Sequence, residues 1–373
     1  VVDVPGMGFV WIGPGGSEQP GKKRPSLFSW KKPQPKPRIV EENVLQNEYF
    51  QIALDPATGA IRALGDFHTR GNRLAQQTAL RLPASDPLCV DGDPESRYTI
   101  MAADSLRITR NGPVTGEIVA KGRLVNRHAK RLAGFTQTVR VHRGCRVFEI
   151  ELELDPDYAP IADPWESYYA FRFAWGDATM DVFRCVNGAT VSTDATRIES
   201  PYFLDFRAEK TSTTLLAGGL PYHRKVGLRK VDSILAAAGE TAKRFRMGVG
   251  IDIEDPLPAA LEFLAPEARF SRPNPPPPAS SGWLFHLDAR NVVATAWEPL
   301  PSVEEPSRID GVRIRLLETE GRECHLTLRA FRNVTSAAKT DYLDNRGETL
   351  SIRGDRVTVG MKKYEWAQVE LRF

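Results

Sequence analysis

Residues 135–154, FTQTVRVHRGCRVFEIELEL, constrain the fold more than any other stretch of the chain. In the second half Val147, Phe148, Ile150, Leu152 and Leu154 interleave with Glu149, Glu151 and Glu153. That two-residue period belongs to a strand with one buried and one wet face. In the first half, β-favouring and polar residues lie side by side from Phe135 to Val141. Gly144 stands between the halves, where the chain must reverse, so the stretch predicts a long antiparallel hairpin. Long paired strands with an acidic outer face suit a large twisted sheet. They do not suit the short parallel strands of a doubly wound nucleotide binder, which are buried on both faces.

The rest of the chain repeats this grammar. Residues 49–54 (YFQIAL) read as a strand, Asp55-Pro56-Ala57-Thr58-Gly59 as a turn, and Ile61 to Leu64 as the returning strand. Asn111-Gly112 and Asn187-Gly188 are hairpin signals. Only 233–238 (SILAAA) has a helical composition. Residues 13–37 are rich in Gly, Pro, Ser and Lys and predict a long exposed loop. The four consecutive prolines within 272–281 (RPNPPPPASS) lack amide hydrogens for a ladder and predict a semi-rigid linker. Beyond them, strand patterns recur about every ten residues, as in a sandwich. A length of 373 residues exceeds one small core. The expected architecture is all-β: a large supersandwich over 1–270, a linker over 271–281 and a small sandwich over 282–373.

Charge and cysteines narrow the function classes. A net charge of +3 without a recurring basic and aromatic block argues against nucleic acid. No apolar run approaches the roughly 20 residues that span a bilayer, so no membrane partner is expected. Cys89, Cys145, Cys185 and Cys324 show no metal-binding or redox spacing and fit free thiols in a reducing, cytoplasmic setting. The chain opens on Val1, which predicts a piece of a longer protein.

Three stretches together resemble the C-terminal β-rich region of glycoside hydrolase family 38, the α-mannosidases. The first is Asn47-Glu48-Tyr49-Phe50 followed by Asp55-Pro56-Ala57-Thr58-Gly59-Ala60-Ile61; the second is Val2-Asp3-Val4-Pro5-Gly6-Met7-Gly8 before it. The third is the end of the chain, with Thr327-Leu328-Arg329-Ala330-Phe331-Arg332, Thr340-Asp341-Tyr342-Leu343 and Lys363-Tyr364-Glu365-Trp366. The resemblance implies a galactose-mutarotase-like supersandwich followed by a smaller sandwich. It also implies a preceding β/α barrel and helical domain that carry zinc, an Asp nucleophile and an Asp acid/base. This chain would then hold no cofactor, would have that barrel as its partner and would serve a site for mannosides. Some family members carry an Arg at the end of a strand whose counterpart here is 233–238, where no Arg stands.

Several residues could still carry chemistry. Retaining glycosidases need two carboxylates about 5 Å apart. Glu149, Glu151, Glu153, Asp155 and Asp157 qualify by type, but the alternation makes the three glutamates the wet face of a strand. A mutarotase or epimerase activity would need a His acid and a carboxylate base across a cleft; His128, His142 and His223 are the candidates. A free-standing carbohydrate-binding module would need aromatic rings and fixed donors. Tyr222, His223 and Arg224, grouped in a Gly/Pro loop, and Trp165 and Tyr168, in the most aromatic run, are the candidate sugar contacts. The bland alternatives are a mixed surface loop and core packing. No metal set is visible, because the six histidines are scattered.

Overall fold

The computed structural model describes residues 4, 6–12, 38–69, 71–161, 163–265, 279–302, 304–343 and 345–373. The hairpin forms as its alternation dictates. Strands Arg131–His142 and Val147–Pro156 pair antiparallel, with Phe148 opposite Val141 and Leu152 opposite Gln137. Gly144 takes φ +77° at the turn, a conformation that costs glycine little. Asn47 and Glu48 clamp this turn from the loop between the strands Val44–Gln46 and Phe50–Leu54. The Asn47 amide donates to the carbonyls of His142 (2.9 Å) and Cys145 (2.7 Å), and Glu48 accepts from the Gly144 amide (3.0 Å). Two residues of the family-like Asn-Glu-Tyr motif thus fix the reversal of the central hairpin.

The chain divides into two compact units, 36–266 and 1–35 together with 267–373. The larger holds two nine-stranded antiparallel sheets among the described residues. The first sheet runs, in spatial order, Ala189–Ser192, Asp181–Val186, Phe203–Arg207, Ser212–Leu216, Arg244–Ile251, Val147–Pro156, Arg131–His142, Thr115–Val125 and Ile100–Asn111. The second runs Arg197–Glu199, Tyr222–Gly227, Lys230–Ala236, Tyr168–Trp175, Leu74–Arg81, Ile61–Asp66, Phe50–Leu54, Val44–Gln46 and Val40–Glu41. Their inner faces share one core, with Val139, Phe148 and Ile150 from the first sheet and Ile52, Phe171 and Phe173 from the second. Burying each such side chain contributes roughly 1.5–3 kcal/mol relative to exposure. A polar bridge crosses this core. Gln137 of the first sheet accepts from Gln76 and Thr78 of the second, each at 3.1 Å, and donates to the Gly59 carbonyl at 3.1 Å. Gly59, at φ +76°, leaves no room for a side chain: a Cβ there would lie 2.7 Å from that of Ala120.

The outer face of the first sheet is an ion-pair lattice. Arg140 reaches Glu117 (2.8 Å), Glu149 (3.1 Å) and Glu151 (3.0 Å), Arg246 reaches Glu149 (3.1 Å), and Arg244 reaches Glu153 (3.3 Å). The three glutamates lie on the wet face, as the alternation requires.

The smaller unit is a sandwich of a four-stranded and a five-stranded sheet around Leu326, Leu328, Ile314, Val357 and Val369. Its opening strand comes from the far end of the chain. Gly8–Val10 pairs with Ser281–Trp283, and the Trp11 amide donates to the Ser280 carbonyl at 2.7 Å. The expectation that the first residues belong to the large sandwich is therefore corrected, because their hydrogen-bond partners lie some 270 residues away. The 13–37 loop and residues 271–278 of the linker lie outside the described residues; Ser281 is already in a strand.

Residues 233–238 are not helical. Lys230–Ala236 is an internal strand, buried from Val231 to Ala236. A continuous apolar run covered on both faces carries no period to identify it. The described helix is Pro256–Leu264, which starts after Asp255 with Pro at its first turn and packs Phe263 under Arg246 at 4.1 Å. Proline is tolerated there because the first-turn amides have no partners within the helix.

Candidate functional site

The outer face of the second sheet gathers the chemistry. In Tyr168–Trp175, the alternation sends Tyr169, Phe171, Phe173 and Trp175 to the core, leaving Tyr168, Ala170 and Arg172 to point outward. Register then sets their neighbours: Arg172 opposite Asp232, Asp232 opposite Arg224, Arg224 opposite Arg197, and Tyr222 opposite Glu199. The short 3-10 turn Pro94–Arg97 and the segment before Tyr168 add Glu95, Arg97, Trp165 and Glu166.

The middle of this face is closed. Asp232 has no accessible surface. It accepts from the hydroxyls of Tyr98 (2.7 Å) and Tyr168 (2.8 Å) and from Arg172 Nε (3.1 Å). Burial first, then the Asp232 charge, pushes the Tyr98 hydroxyl up to about 12 and raises Tyr168 as well. Arg172 also holds Glu95, at 3.0 Å, and Lys230 holds it at 2.9 Å. Burial would raise the Glu95 carboxyl, but these two cations outweigh it and keep it near about 2. Glu166 is held in the same way by Arg97 (2.6 Å) and Arg81 (3.3 Å), also near about 2 against the effect of burial. Buried charges persist only when paired in this manner.

The rim at Arg197–Glu199 and Tyr222–Gly227 is open. Tyr222 is 48% exposed and meets Trp165 edge to face, with ring centroids 6.0 Å apart. Arg224 donates to the Trp165 carbonyl and reaches Glu166 at 3.3 Å, so it anchors the backbone that carries the indole. The Arg197 guanidinium lies 5.2 Å from the Trp165 ring.

The candidate contacts thus part company. Trp165, Tyr222 and Arg224 come together on the rim. His223 points the other way. It is fully buried, bonded to Ser233 Oγ (2.9 Å) and the Ser200 carbonyl (3.1 Å), and burial lowers its pKa to about 4. Tyr168 is fully buried on Asp232. Neither ring is available to a sugar on this surface, because a two-residue period sends His223 inward when its neighbours face out, and Tyr168 is covered. Arg197 and Glu199 escaped the sequence reading; the alternation of Arg197-Ile198-Glu199, with Ile198 buried between exposed neighbours, was the available signal.

The three candidate histidines sit in different settings. His128 is exposed in the 126–130 turn, and His142 Nδ1 shares a hydrogen bond with Thr115 at 3.1 Å. Among the described residues none of the three candidate histidines bonds to a carboxylate. No group of three or more His, Cys, Asp or Glu among them could hold a metal ion. No helix among the described residues is long and apolar enough to cross a membrane.

Comparison with solved structures gives the fold a context. A glycosyl hydrolase family 38 protein from Enterococcus faecalis superposes over 91% of this chain with a TM-score of 0.65 and 11% identity. An α-mannosidase from Enterococcus faecalis V583 does so over 91%, with a TM-score of 0.65 and 10% identity. The chain covers 45% and 43% of those two proteins, less than half of either. A galactose mutarotase related enzyme from Lactobacillus acidophilus aligns over 56% of the chain, with a TM-score of 0.33 and 7% identity. No family model matches the sequence, and no curated protein matches it. The chain shares the two-sandwich fold of part of the two family 38 proteins.

Proposed function

We propose that this chain is a non-catalytic portion of a family 38-like α-mannosidase, a β-rich support for a catalytic barrel that shapes the rim of its carbohydrate site. The observation that carries the reading is the superposition on two family 38 proteins over 91% of this chain but less than half of theirs. The Asn-Glu-Tyr and Asp-Pro-x-Thr-Gly residues support it, because both motifs hold the central hairpin and its neighbouring turn in place. Asp55 caps that turn by accepting from the Ala57 (2.8 Å) and Thr58 (3.2 Å) amides.

The state of the carboxylates also favours a supporting role. A glycosidase acid must hold its proton near neutral pH. Glu95 and Glu166 are pulled the other way by arginine and lysine, and Glu149 and Glu151 are taken up by Arg140. In this reading the zinc, nucleophile and acid/base belong to the barrel partner, and mannosides are the substrate class of the whole enzyme. The test is an aryl α-mannoside assay on the purified chain, with zinc and with chelator. No turnover is expected in either condition; turnover that tracks the protein through purification overturns the proposal.

A further inference from the structure

We infer that the rim formed by Arg197–Glu199 and Tyr222–Gly227 is a subsite for a neutral pyranose, with Trp165 and Tyr222 as its apolar wall and Arg197 and Glu199 as its hydroxyl-binding pair. Arg197 lies 5.2 Å from the Trp165 ring but keeps its N–H donors free of protein partners among the described residues. Among the described residues, the side chains of Arg197 and Glu199 have no hydrogen bond or ion pair, although both are exposed on one strand with Ile198 buried between them. The Trp165 indole N–H and the Tyr222 hydroxyl likewise make no hydrogen bond. Elsewhere on this face Arg81, Arg97, Arg172, Arg224, Glu95 and Asp232 are all engaged.

The spacing suits a sugar. Arg197 and Glu199 are two residues apart on a strand, so their Cα atoms stand about 7 Å apart on the same side. That is the width of one six-membered ring with its hydroxyls. A pyranose presents C–H groups on one face and hydroxyls around its edge. Exposed aromatic surface takes the first, a guanidinium fork donates to the second, and a carboxylate accepts from it. One positive and one negative group cancel, which favours a neutral ligand over a phosphorylated or acidic one. Arg224 and Glu166 act one step back: the bond from Arg224 to the Trp165 carbonyl fixes the indole, making Arg224 a positioning residue.

The choice of mannose as probe rests on the proposed function, whereas the geometry asks only for a neutral pyranose. The experiment is titration calorimetry of the whole chain with methyl α-mannoside, linear α-mannotriose and methyl α-glucoside. Binding with a dissociation constant on the order of 1 mM is expected, weakened by about tenfold or more in Tyr222→Ala and in Arg197→Ala. Both side chains are exposed, so the thermal midpoint of either variant should match that of the parent chain. Trp165→Ala is a poorer test because Trp165 packs against Tyr168, Ala170 and Ile234. Absence of heat with all three sugars overturns the subsite, as does binding that is undiminished in Tyr222→Ala and Arg197→Ala. Binding of the glucoside alone upholds the subsite while counting against the mannosidase reading.

Discussion

Asp232 and Glu199 are both strand carboxylates on the outer face of the second sheet, separated by the single strand Tyr222–Gly227. Asp232 is fully buried and accepts from two tyrosines and an arginine. Glu199 is exposed and accepts from nothing among the described residues. The difference is cover. Tyr98, Tyr168 and Arg172 close over Asp232, whereas Glu199 stays exposed at the end of the face. Under cover a carboxylate must be fully satisfied, or the cost is that of an unpaired charge. At the rim water satisfies it, and water can be displaced by a ligand. One sheet face therefore serves structure in its middle and is open to recognition at its edge.

The sharpest way to break this contrast is to remove each carboxylate. Asp232→Ala leaves Arg172 with half its partners and takes the buried carboxylate acceptor from the Tyr98 and Tyr168 hydroxyls, which is expected to destabilise the larger unit by roughly 3–5 kcal/mol. Glu199→Gln, by contrast, should change stability by less than about 0.5 kcal/mol. Urea unfolding of both variants measures the pair, and equal effects would mean that the cover does not set their roles.

A second, smaller effect tests which way the rim strand faces. His223 has its folded pKa lowered from 6.5 to about 4 by burial. A lowered value means that the unfolded chain takes up the proton first as pH falls. The stability His223 contributes is thus complete above about 6.5 and is lost on the way down to about 4, by about 3 kcal/mol for this residue. In the native protein its imidazole resonances should hold steady through pH 6.5. Titration near that value would place the ring in water, alongside Tyr222.

The hairpin and the two-sandwich architecture were legible because one face of each long strand is wet, and Glu149, Glu151 and Glu153 print the period directly. Leu74–Arg81 and Lys230–Ala236 were not, because both are internal strands covered on two faces, and Gln76 and Thr78 place polar groups inside the core. The pairing of Gly8–Val10 with Ser281–Trp283 was hidden for another reason: local pattern carries no information about a partner at the other end of the chain. In the candidate site, the aromatic and basic residues were found by type, but their sidedness was not. Reading Tyr222, His223 and Arg224 as one loop group missed that they lie on a strand, where the middle residue must turn away from its neighbours. The same strand logic applied to Arg197 and Glu199 would have found the rim.

The most direct test of the account is a single-turnover assay, with this chain in excess over a fluorogenic α-mannoside and zinc supplied. The account predicts no release of the fluorophore, for the parent chain and for Glu166→Gln alike, because Glu95 and Glu166 are held ionised by their arginine and lysine partners. Release by the parent chain that is lost in Glu166→Gln would contradict it, since catalysis would then reside within these two sandwiches.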